Sequence, residues 1–150
     1  MHIRPIKRNE IKNASSIVED NYSKRDRESA EHEMRAMFKN KTYRPKYLVA
    51  EEKSKILGFA GYIQSQMDYH IYQIFWVNVD PKNQKRGIGS KLVEKVIDEI
   101  KKQKGQDKKA LMILLTATKP KFYSQRFGFK TVSKFQGKKN YLMALNLESC

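Results

Sequence analysis

The spacing of hydrophobic residues divides the chain into helix-like and strand-like segments. Apolar residues recur at helical spacing in segments 10–20, 27–38 and 90–101, and this spacing predicts three helices. Short apolar runs predict strands at residues 3–6, 47–50, 56–63, 71–79, 110–115, 129–132 and 141–147. A fourth, shorter helix is expected over 119–126, ended by Gly128. Strands alternate with helices in the middle of the chain and pair in hairpins at its ends. We therefore expect an α/β (α+β) fold with a mixed sheet covered by helices on both faces.

Three of the predicted segments have distinctive residue patterns. The run 71–79 is β-branched, aromatic and almost wholly apolar, which is typical of a buried strand. Segment 90–101 has a single apolar stripe, formed by Leu92, Val93, Val96, Ile97 and Ile100. Gly58 and Gly61 weaken the strand propensity of segment 56–63 and predict a bulge in it.

Length and composition are those of a single globular domain. The 150 residues are 39% hydrophobic and 31% charged, and no linker, repeat or low-complexity tract divides them, so we expect one domain over 1–150. No apolar run is long enough for a membrane span, and the first residues lack the apolar core of a signal peptide. The lone cysteine, Cys150, excludes an intrachain disulfide, and His2, His32 and His70 are too scattered to indicate a metal site. These features predict a cytoplasmic protein without membrane association or a metal cofactor.

The charge is strongly positive and unevenly distributed. The chain has 31 Lys and Arg against 16 Asp and Glu, a net charge of +15, of which residues 101–150 contribute +10. Such a field attracts nucleic acids, phosphorylated cofactors and acidic partners, although a lysine-rich solvated surface explains it equally well.

A phosphate-binding turn is predicted where segment 71–79 ends and the next helix begins. Two glycines, Gly87 and Gly89, lie at the start of that helix, so no side chain blocks access to its first free N–H groups. The helix dipole and the cations Lys85 and Arg86 add positive charge at the same place. Together these features predict a site for a diphosphate.

The spacing excludes two common phosphate-binding motifs. A Rossmann fingerprint requires a third glycine where Leu92 stands. A Walker loop requires Gly-Lys-Ser/Thr after a longer gap, and the sequence has none. A purely structural role for the glycine turn remains the alternative.

Two segments resemble the signatures of the GNAT N-acetyltransferase superfamily. Gln84-Lys85-Arg86-Gly87-Ile88-Gly89 matches its Gln/Arg-x-x-Gly-x-Gly/Ala signature. Segment 76–81 is similar to its splayed fourth strand and loop, 122–129 to its second, aromatic signature, and 141–145 to its last strand. The resemblance implies a mostly antiparallel central sheet of six to seven strands flanked by about four helices.

The family resemblance implies acetyl-CoA as the acetyl donor. The backbone of Val77 and Val79 would then pair with the pantetheine arm, and the amides of residues 85–90 would hold the diphosphate. Tyr123 occupies the position of a family tyrosine near the thioester sulfur, where it can protonate or hydrogen-bond the CoA thiolate. Without the resemblance, the favoured interpretation of Tyr123 is a core aromatic residue beside Phe122, Phe127 and Phe129. The expected coenzyme-binding residues are Val77, Asn78, Val79, Gln84, Lys85, Arg86, Gly87, Ile88, Gly89, Ser90 and Tyr123.

The proton acceptor for the attacking amine is not evident from the sequence. Many family members place a glutamate eleven residues before the signature glutamine, and the residue there is Gln73, which cannot act as a base but can position a water or the amine. The other candidates are Glu51, Glu52, Asp68, His70 and solvent.

These expectations lead to a direct, single-step N-acetyltransferase acting on a small amine, an amino-acid-like metabolite or a protein amine. The positive charge favours an anionic or ribosome-associated acceptor. The oligomeric state stays open, with a homodimer among the options. The alternatives are a basic nucleic-acid-binding or ribosome-binding module and a catalytically silent acyl-CoA-binding protein.

Overall fold

A computed structural model describes residues 1–137 and 139–148. Within these residues the chain forms seven strands and four helices. The strands are β1 (His2–Pro5), β2 (Lys46–Glu52), β3 (Lys55–Gln64), β4 (Ile71–Val79), β5 (Met112–Ala117), β6 (Lys130–Phe135) and β7 (Asn140–Asn146). The helices are α1 (Ile11–Asn21), α2 (Lys24–Lys39), α3 (Ile88–Lys101) and α4 (Pro120–Phe127).

The strands hydrogen-bond in the order β1-β2-β3-β4-β5-β7-β6. The pairs β1/β2, β2/β3, β5/β7 and β6/β7 are antiparallel, whereas β4 and β5 are parallel. The mixed, mostly antiparallel sheet predicted from the sequence is therefore confirmed.

The chain forms two compact units, and the boundary between them falls within β4 and within α3. The first unit contains Met1–Ile63 and Trp76–Val96, and the second contains Gln64–Phe75 and the chain from Ile97 onward. The diphosphate-binding turn predicted from the sequence lies in the first unit, and Gln73 and Tyr123 lie in the second.

The core of the first unit lies between helices and the β2–β3 hairpin. The predicted stripe of α1, which consists of Ile11, Ala14, Ile17 and Val18, is buried. Ala30 and Met34 of α2 are also buried, one helical turn apart, whereas Met37 and Phe38 are only partly covered. Complete burial of a side chain such as Met34 contributes roughly 1.5–3 kcal/mol to stability.

A close backbone contact explains one of the two strand glycines. A β-carbon on Gly58 would lie 2.7 Å from the carbonyl oxygen of Asn78 and 3.2 Å from Leu92 Cδ1. The register of the β2–β3 pair also shifts there, because Ala50 pairs with Gly58 and Glu51 with Ile56. The predicted bulge is therefore located at Gly58, where α3 and the end of β4 approach the backbone.

The second unit is built around β5 and β7. Ile113, Leu115 and Ala117 are buried, and the residues between them are more accessible. The all-apolar run 110–115 predicts a strand buried on both faces. That prediction is wrong, because the burial of β5 alternates along the strand. Helix α4 ends as predicted at Gly128, whose φ of +82° is the left-handed conformation that glycine adopts most easily.

Two helices begin earlier than the hydrophobic pattern predicts. Helix α2 begins at Lys24, because the Ser23 hydroxyl accepts a hydrogen bond from the Asp26 N–H at 3.1 Å. Helix α3 begins at Ile88, so Gly89 lies within its first turn. The first turn of α2 is polar and carries no apolar periodicity, and Gly89 lowers the helix propensity at the start of α3, so the apolar stripe alone places both starts too late.

The two-residue turn between β2 and β3 gives a first prediction. Lys53 and Ser54 have φ of +50° and +64°, the type I′ geometry that Asn-Gly adopts with less strain. We expect the double substitution Lys53→Asn, Ser54→Gly to raise the free energy of unfolding by about 1 kcal/mol, because a left-handed non-glycine residue costs roughly that much. Urea denaturation measures the change. As the control, Lys55→Gly, one residue into β3, should destabilise instead; an unchanged midpoint for the double variant would contradict the predicted strain.

Candidate active site

The loop after β4 is held in shape by its own side chains. Pro81 begins a single turn of 3-10 helix, and the Asp80 carboxylate accepts hydrogen bonds from the Lys82 N–H and the Asn83 amide, both at 3.2 Å. The Asn83 N–H also donates to the Asp80 carbonyl at 2.8 Å. An Asp-Pro pair favours this tight turn because proline fixes φ and the aspartate satisfies the open N–H groups.

The backbone then turns twice through the left-handed region before α3 begins. Lys85 has a φ of +68° and Gly87 a φ of +78°. The first helical hydrogen bond runs from the Lys91 N–H to the Gly87 carbonyl at 3.1 Å, so the N–H groups of Ile88, Gly89 and Ser90 precede it. Left-handed residues beside a helix N-terminus create a concave set of N–H groups that suits an anion.

The surroundings of this turn leave room for a ligand. A β-carbon on Gly87 would meet no atom within 4 Å. Residues 84–87 are exposed, while Ile88 is buried and anchors the start of the helix. Glycine is therefore required at position 87 for its backbone conformation, and the space in front of it is open. The diphosphate site inferred from the sequence fits this geometry.

The cation Arg86 is already paired within the protein. Its Nη2 donates to both carboxylate oxygens of Glu52, at 3.1 and 2.9 Å, and its Nη1 donates to Asn83 Oδ1 at 2.8 Å. The hydrogen bond from Arg86 holds the pKa of Glu52 below its usual range. Glu52 thereby orients Arg86 and offsets part of its charge. Lys85 is exposed, like Arg86.

A cluster of side-chain amides connects α1, the end of β4 and the loop. Asn21 Nδ2 donates to Asn78 Oδ1 at 3.2 Å and to the Val79 carbonyl at 2.9 Å. Gln84 Nε2 donates to the same Val79 carbonyl and to Asn21 Oδ1, both at 3.1 Å. Asn78 is 4% exposed, Asn21 is partly buried and Gln84 is exposed, so these side chains extend from the protein interior to its surface. We call Asn21, Asn78 and Gln84 the amide cluster.

The amide cluster includes Asn78 and Gln84, two of the residues predicted to bind the coenzyme. The side chains of Asn78 and Gln84 bind other parts of the protein, so the amide cluster holds the loop in place. The Val79 carbonyl has two side-chain donors, which together use both of its lone pairs. Pairing of this strand edge with a pantetheine arm therefore depends on Val77 and on the Val79 N–H.

Tyr123 lies in an aromatic cluster in the second unit. Its ring meets Phe122 edge-on, with centroids 4.8 Å apart, and Phe129 at 5.9 Å. Tyr123 is only partly buried, whereas Phe129 is 2% exposed. Packing accounts for the orientation of the ring, and partial exposure leaves room for a role of Tyr123 in binding or catalysis.

Gln73 is exposed on β4, opposite Leu114 of β5. Its neighbours Tyr72 and Ile74 are buried, so their side chains leave the other face of the strand to Gln73. No described contact fixes a role for its amide.

The acidic candidates are held in structural contacts. Glu51 accepts hydrogen bonds from Arg4 at 3.3 and 3.2 Å, and Arg4 also binds Glu10. The Arg4 guanidinium holds the pKa values of both glutamates below their usual range. Glu52 binds Arg86, as described above.

The remaining candidate bases lie near the start of β4 in the second unit. Asp68 accepts a hydrogen bond from the His70 N–H at 2.9 Å. His70 Nδ1 lies 2.7 Å from the Lys109 carbonyl, and the Tyr72 hydroxyl donates to the Lys108 carbonyl at 2.6 Å. The lysine-rich loop 101–109 is therefore held by its backbone against the start of β4.

The structure also shows a contact that the sequence analysis missed. The indole N–H of Trp76, at the point where β4 enters the first unit, donates to the carboxylate of Glu33 on α2. The burial of Ala30 and Met34 places Glu33 at the edge of the helix face that packs inward, a position that helical spacing can predict. Its partner is 43 residues away in the sequence, and no local pattern indicates that pairing.

Two kinds of feature are absent from the described residues. No helix in 1–137 or 139–148 is both long and apolar enough to span a membrane. In the same ranges, no group of three or more His, Cys, Asp or Glu side chains is arranged to hold a metal ion.

The family model for the acetyltransferase (GNAT) domain matches residues 44–131, more than half of the chain. This chain belongs to the GNAT acetyltransferase family. No curated protein matches the chain. The matched range includes β4, the turn of residues 84–90 and the Tyr123 segment, so the predicted resemblance to this family is confirmed; segment 141–145 lies beyond the matched range.

Solved GNAT structures share the fold. A GNAT-family protein from Desulfovibrio desulfuricans matches with a TM-score of 0.81 at 15% identity, covering 97% of this chain and 98% of that chain. A GNAT acetyltransferase from Brucella melitensis in complex with acetyl-CoA matches with a TM-score of 0.69 at 19% identity, covering 99% of this chain and 88% of that chain. An aminoglycoside 6'-N-acetyltransferase complexed with coenzyme A matches with a TM-score of 0.72 at 16% identity, covering 100% of this chain and 99% of that chain.

The amide cluster gives a second prediction. We expect Asn21→Asp to lower the free energy of unfolding by roughly 1–3 kcal/mol, because a carboxylate cannot donate to the Val79 carbonyl or to Asn78. Urea denaturation measures the loss. Asn13→Asp adds the same charge at an exposed position of α1 and should change stability by less than about 0.5 kcal/mol. Equal midpoints for the two variants would show that the amide cluster does not stabilise the loop.

Proposed function

We propose that this GNAT protein transfers the acetyl group of acetyl-CoA directly to a primary amine, and that residues 1–150 act as one transferase domain in the cytoplasm. The observation that carries the proposal is the turn of residues 84–90, in which left-handed Lys85 and Gly87 present the first amides of α3 to open space. A diphosphate is the part of coenzyme A that such a turn recognises.

The turn is preorganised for the coenzyme. The amide cluster and the Asp80 contacts hold the loop without a ligand, so little conformational entropy is lost on binding. The N–H groups of Ile88, Gly89 and Ser90 bind diphosphate oxygens, and Lys85 and Arg86 add charge. Val77 and the Val79 N–H hold the pantetheine arm along β4, as an added strand would be held.

The reaction is a nucleophilic substitution at the thioester carbonyl. The amine nitrogen forms the new bond to the carbonyl carbon, the carbon–sulfur bond breaks, and its electron pair leaves on the sulfur. The nitrogen loses one proton and the CoA thiolate gains one. In this proposal Tyr123 donates a proton to the thiolate, and Gln73 positions the amine or a water.

The charge of the chain favours an acceptor that carries negative charge. Residues 101–150 contribute +10 of the net +15, and the lysines of the described part of this region are exposed. A positive field raises the association rate of an anion and disfavours a polycation. We therefore propose an amine on an anionic molecule, such as a protein bound to RNA, rather than a polycationic aminoglycoside.

Coenzyme binding is tested by a substitution at the helix start. We expect Gly89→Glu to weaken acetyl-CoA binding at least roughly 100-fold, because a carboxylate there repels the diphosphate. The fold should persist, since an acidic residue is favourable in the first turn of a helix. Isothermal titration calorimetry measures the affinity. Gly137→Glu is the control, because a β-carbon at Gly137 meets no atom within 4 Å. If Gly89→Glu binds as the wild type does, the turn is not the diphosphate site.

The role of Tyr123 is tested by removing its hydroxyl. We expect Tyr123→Phe to reduce kcat by roughly 100-fold, with acetyl-CoA affinity nearly unchanged, because the ring retains its packing and only the proton donor is lost. Release of free thiol measures turnover. Tyr141→Phe removes a hydroxyl from a partly buried position on β7 and should leave kcat unchanged. Full turnover by Tyr123→Phe would make Tyr123 a packing residue only.

A further inference from the structure

Glu33 and Trp76 form a polar contact on the exposed side of the first unit. The Trp76 indole donates its N–H to Glu33 Oε2, and the Glu33 side chain is otherwise exposed. Glu10, Glu19, Glu31, Glu51 and Glu52 all form salt bridges with arginines. Within 1–137 and 139–148, Glu33 forms no salt bridge with a lysine or arginine. Its negative charge is therefore available to an external cation, in a chain whose net charge is +15.

Trp76 holds an unfavourable backbone conformation. Its φ is +51° in the middle of β4, where a bulky side chain is an outlier and regular strand geometry is interrupted. Such strain persists only where surrounding contacts enforce it, and it is concentrated at functional sites. The hydrogen bond to Glu33 is one of those contacts.

The position of Trp76 on β4 connects the Glu33–Trp76 pair with the proposed coenzyme site. Trp76 precedes Val79 by three residues, about 10 Å along a strand. The amide cluster fixes the Val79 carbonyl and the start of the diphosphate turn. Trp76 therefore lies upstream on the strand along which the proposed pantetheine arm extends away from the diphosphate, and its hydrogen bond holds Glu33 of α2 beside it.

The negative charge of Glu33 also acts on a buried tyrosine. Tyr47 of β2 is buried, and its pKa is raised, first by that burial and then by the negative charge of Glu33. A carboxylate beside an indole is a combination that recognises an organic cation, because the carboxylate supplies a full negative charge and the ring a negative face.

We infer that Glu33 binds the ammonium group of the acceptor and takes its proton. This rests on the proposed function. Lysine and α-amino groups have pKa values near 10.4 and 8, so most acceptor amines reach the protein as ammonium ions. One proton passes from the ammonium nitrogen to Glu33, directly or through a water, and the nitrogen lone pair attacks the thioester carbon. The proton on Glu33 then passes to solvent, which restores the carboxylate.

Two probe amines distinguish this role from a structural one. n-Butylamine is an ammonium ion in neutral water, whereas 2,2,2-trifluoroethylamine is largely unprotonated and needs no base before attack. We expect Glu33→Gln to lower kcat/KM for n-butylamine by roughly 100-fold or more, and for trifluoroethylamine by less than about threefold. Glutamine can still accept the indole hydrogen bond, so the strand is retained. Glu28→Gln, which removes an exposed carboxylate from the same helix, should affect neither amine.

The single tryptophan provides a readout that does not require turnover. Because Trp76 is the only tryptophan, its fluorescence reports on this site alone. We expect n-butylamine to change the emission of the wild type and of Glu28→Gln, with and without acetyl-CoA, and to leave Glu33→Gln unchanged. Calorimetry should give the same acetyl-CoA affinity for all three proteins.

The possible results separate this inference from the proposed function. If Glu33→Gln loses activity equally with both amines, or if its emission responds to n-butylamine as the wild type does, the inference is overturned. A wild type that binds acetyl-CoA but shows neither an emission change nor thiol release with n-butylamine also overturns it. A wild type that fails to bind acetyl-CoA overturns the proposed function instead, while a Glu33-dependent emission change would still support the ammonium site.

Discussion

The carbonyl of Val79 is the point on which the candidate active site depends. It accepts hydrogen bonds from Asn21 at the end of α1 and from Gln84 in the loop. Val79 is partly buried at the end of β4, and the two side-chain amides satisfy its carbonyl. The same two amides fix the distance between β4 and the turn that begins α3. The amides of Ile88, Gly89 and Ser90 can remain open to a ligand because other hydrogen bonds hold the backbone in place.

Three glutamates are held by arginines, whereas Glu33, the base that we propose, is not. Glu10 and Glu51 share Arg4, and Glu52 orients Arg86 beside the diphosphate turn. The pKa values of these three groups are lowered by their arginine partners, so each is a weaker base than a free glutamate. Glu33 instead accepts a hydrogen bond from a neutral indole and keeps its charge available. This division explains why Glu51 and Glu52, which the sequence offers as candidates, are poor candidates for the base.

Excess positive charge and a local carboxylate have complementary roles in the proposed reaction. The field of a +15 chain favours the anionic coenzyme and an acidic acceptor at long range. That field also disfavours the ammonium group that must react. In the proposed reaction the carboxylate of Glu33 on α2, beside Trp76 of β4, restores attraction at short range, where salt does not screen it fully.

The sequence by itself determined the fold class and the order of the elements, and it predicted residues 84–90 as a turn before a helix. Apolar periodicity is local, and the geometry of a strand, a glycine turn and a helix follows from residues close together in the chain. The burial of Gly58 against Asn78, the amide cluster and the contact between Glu33 and Trp76 were decided only by tertiary structure. Each joins residues 20 to 63 positions apart. Polar side chains such as Asn21 and Glu33 have no periodic signature, because the same residue is equally stable in solvent and its role depends on what the fold brings next to it.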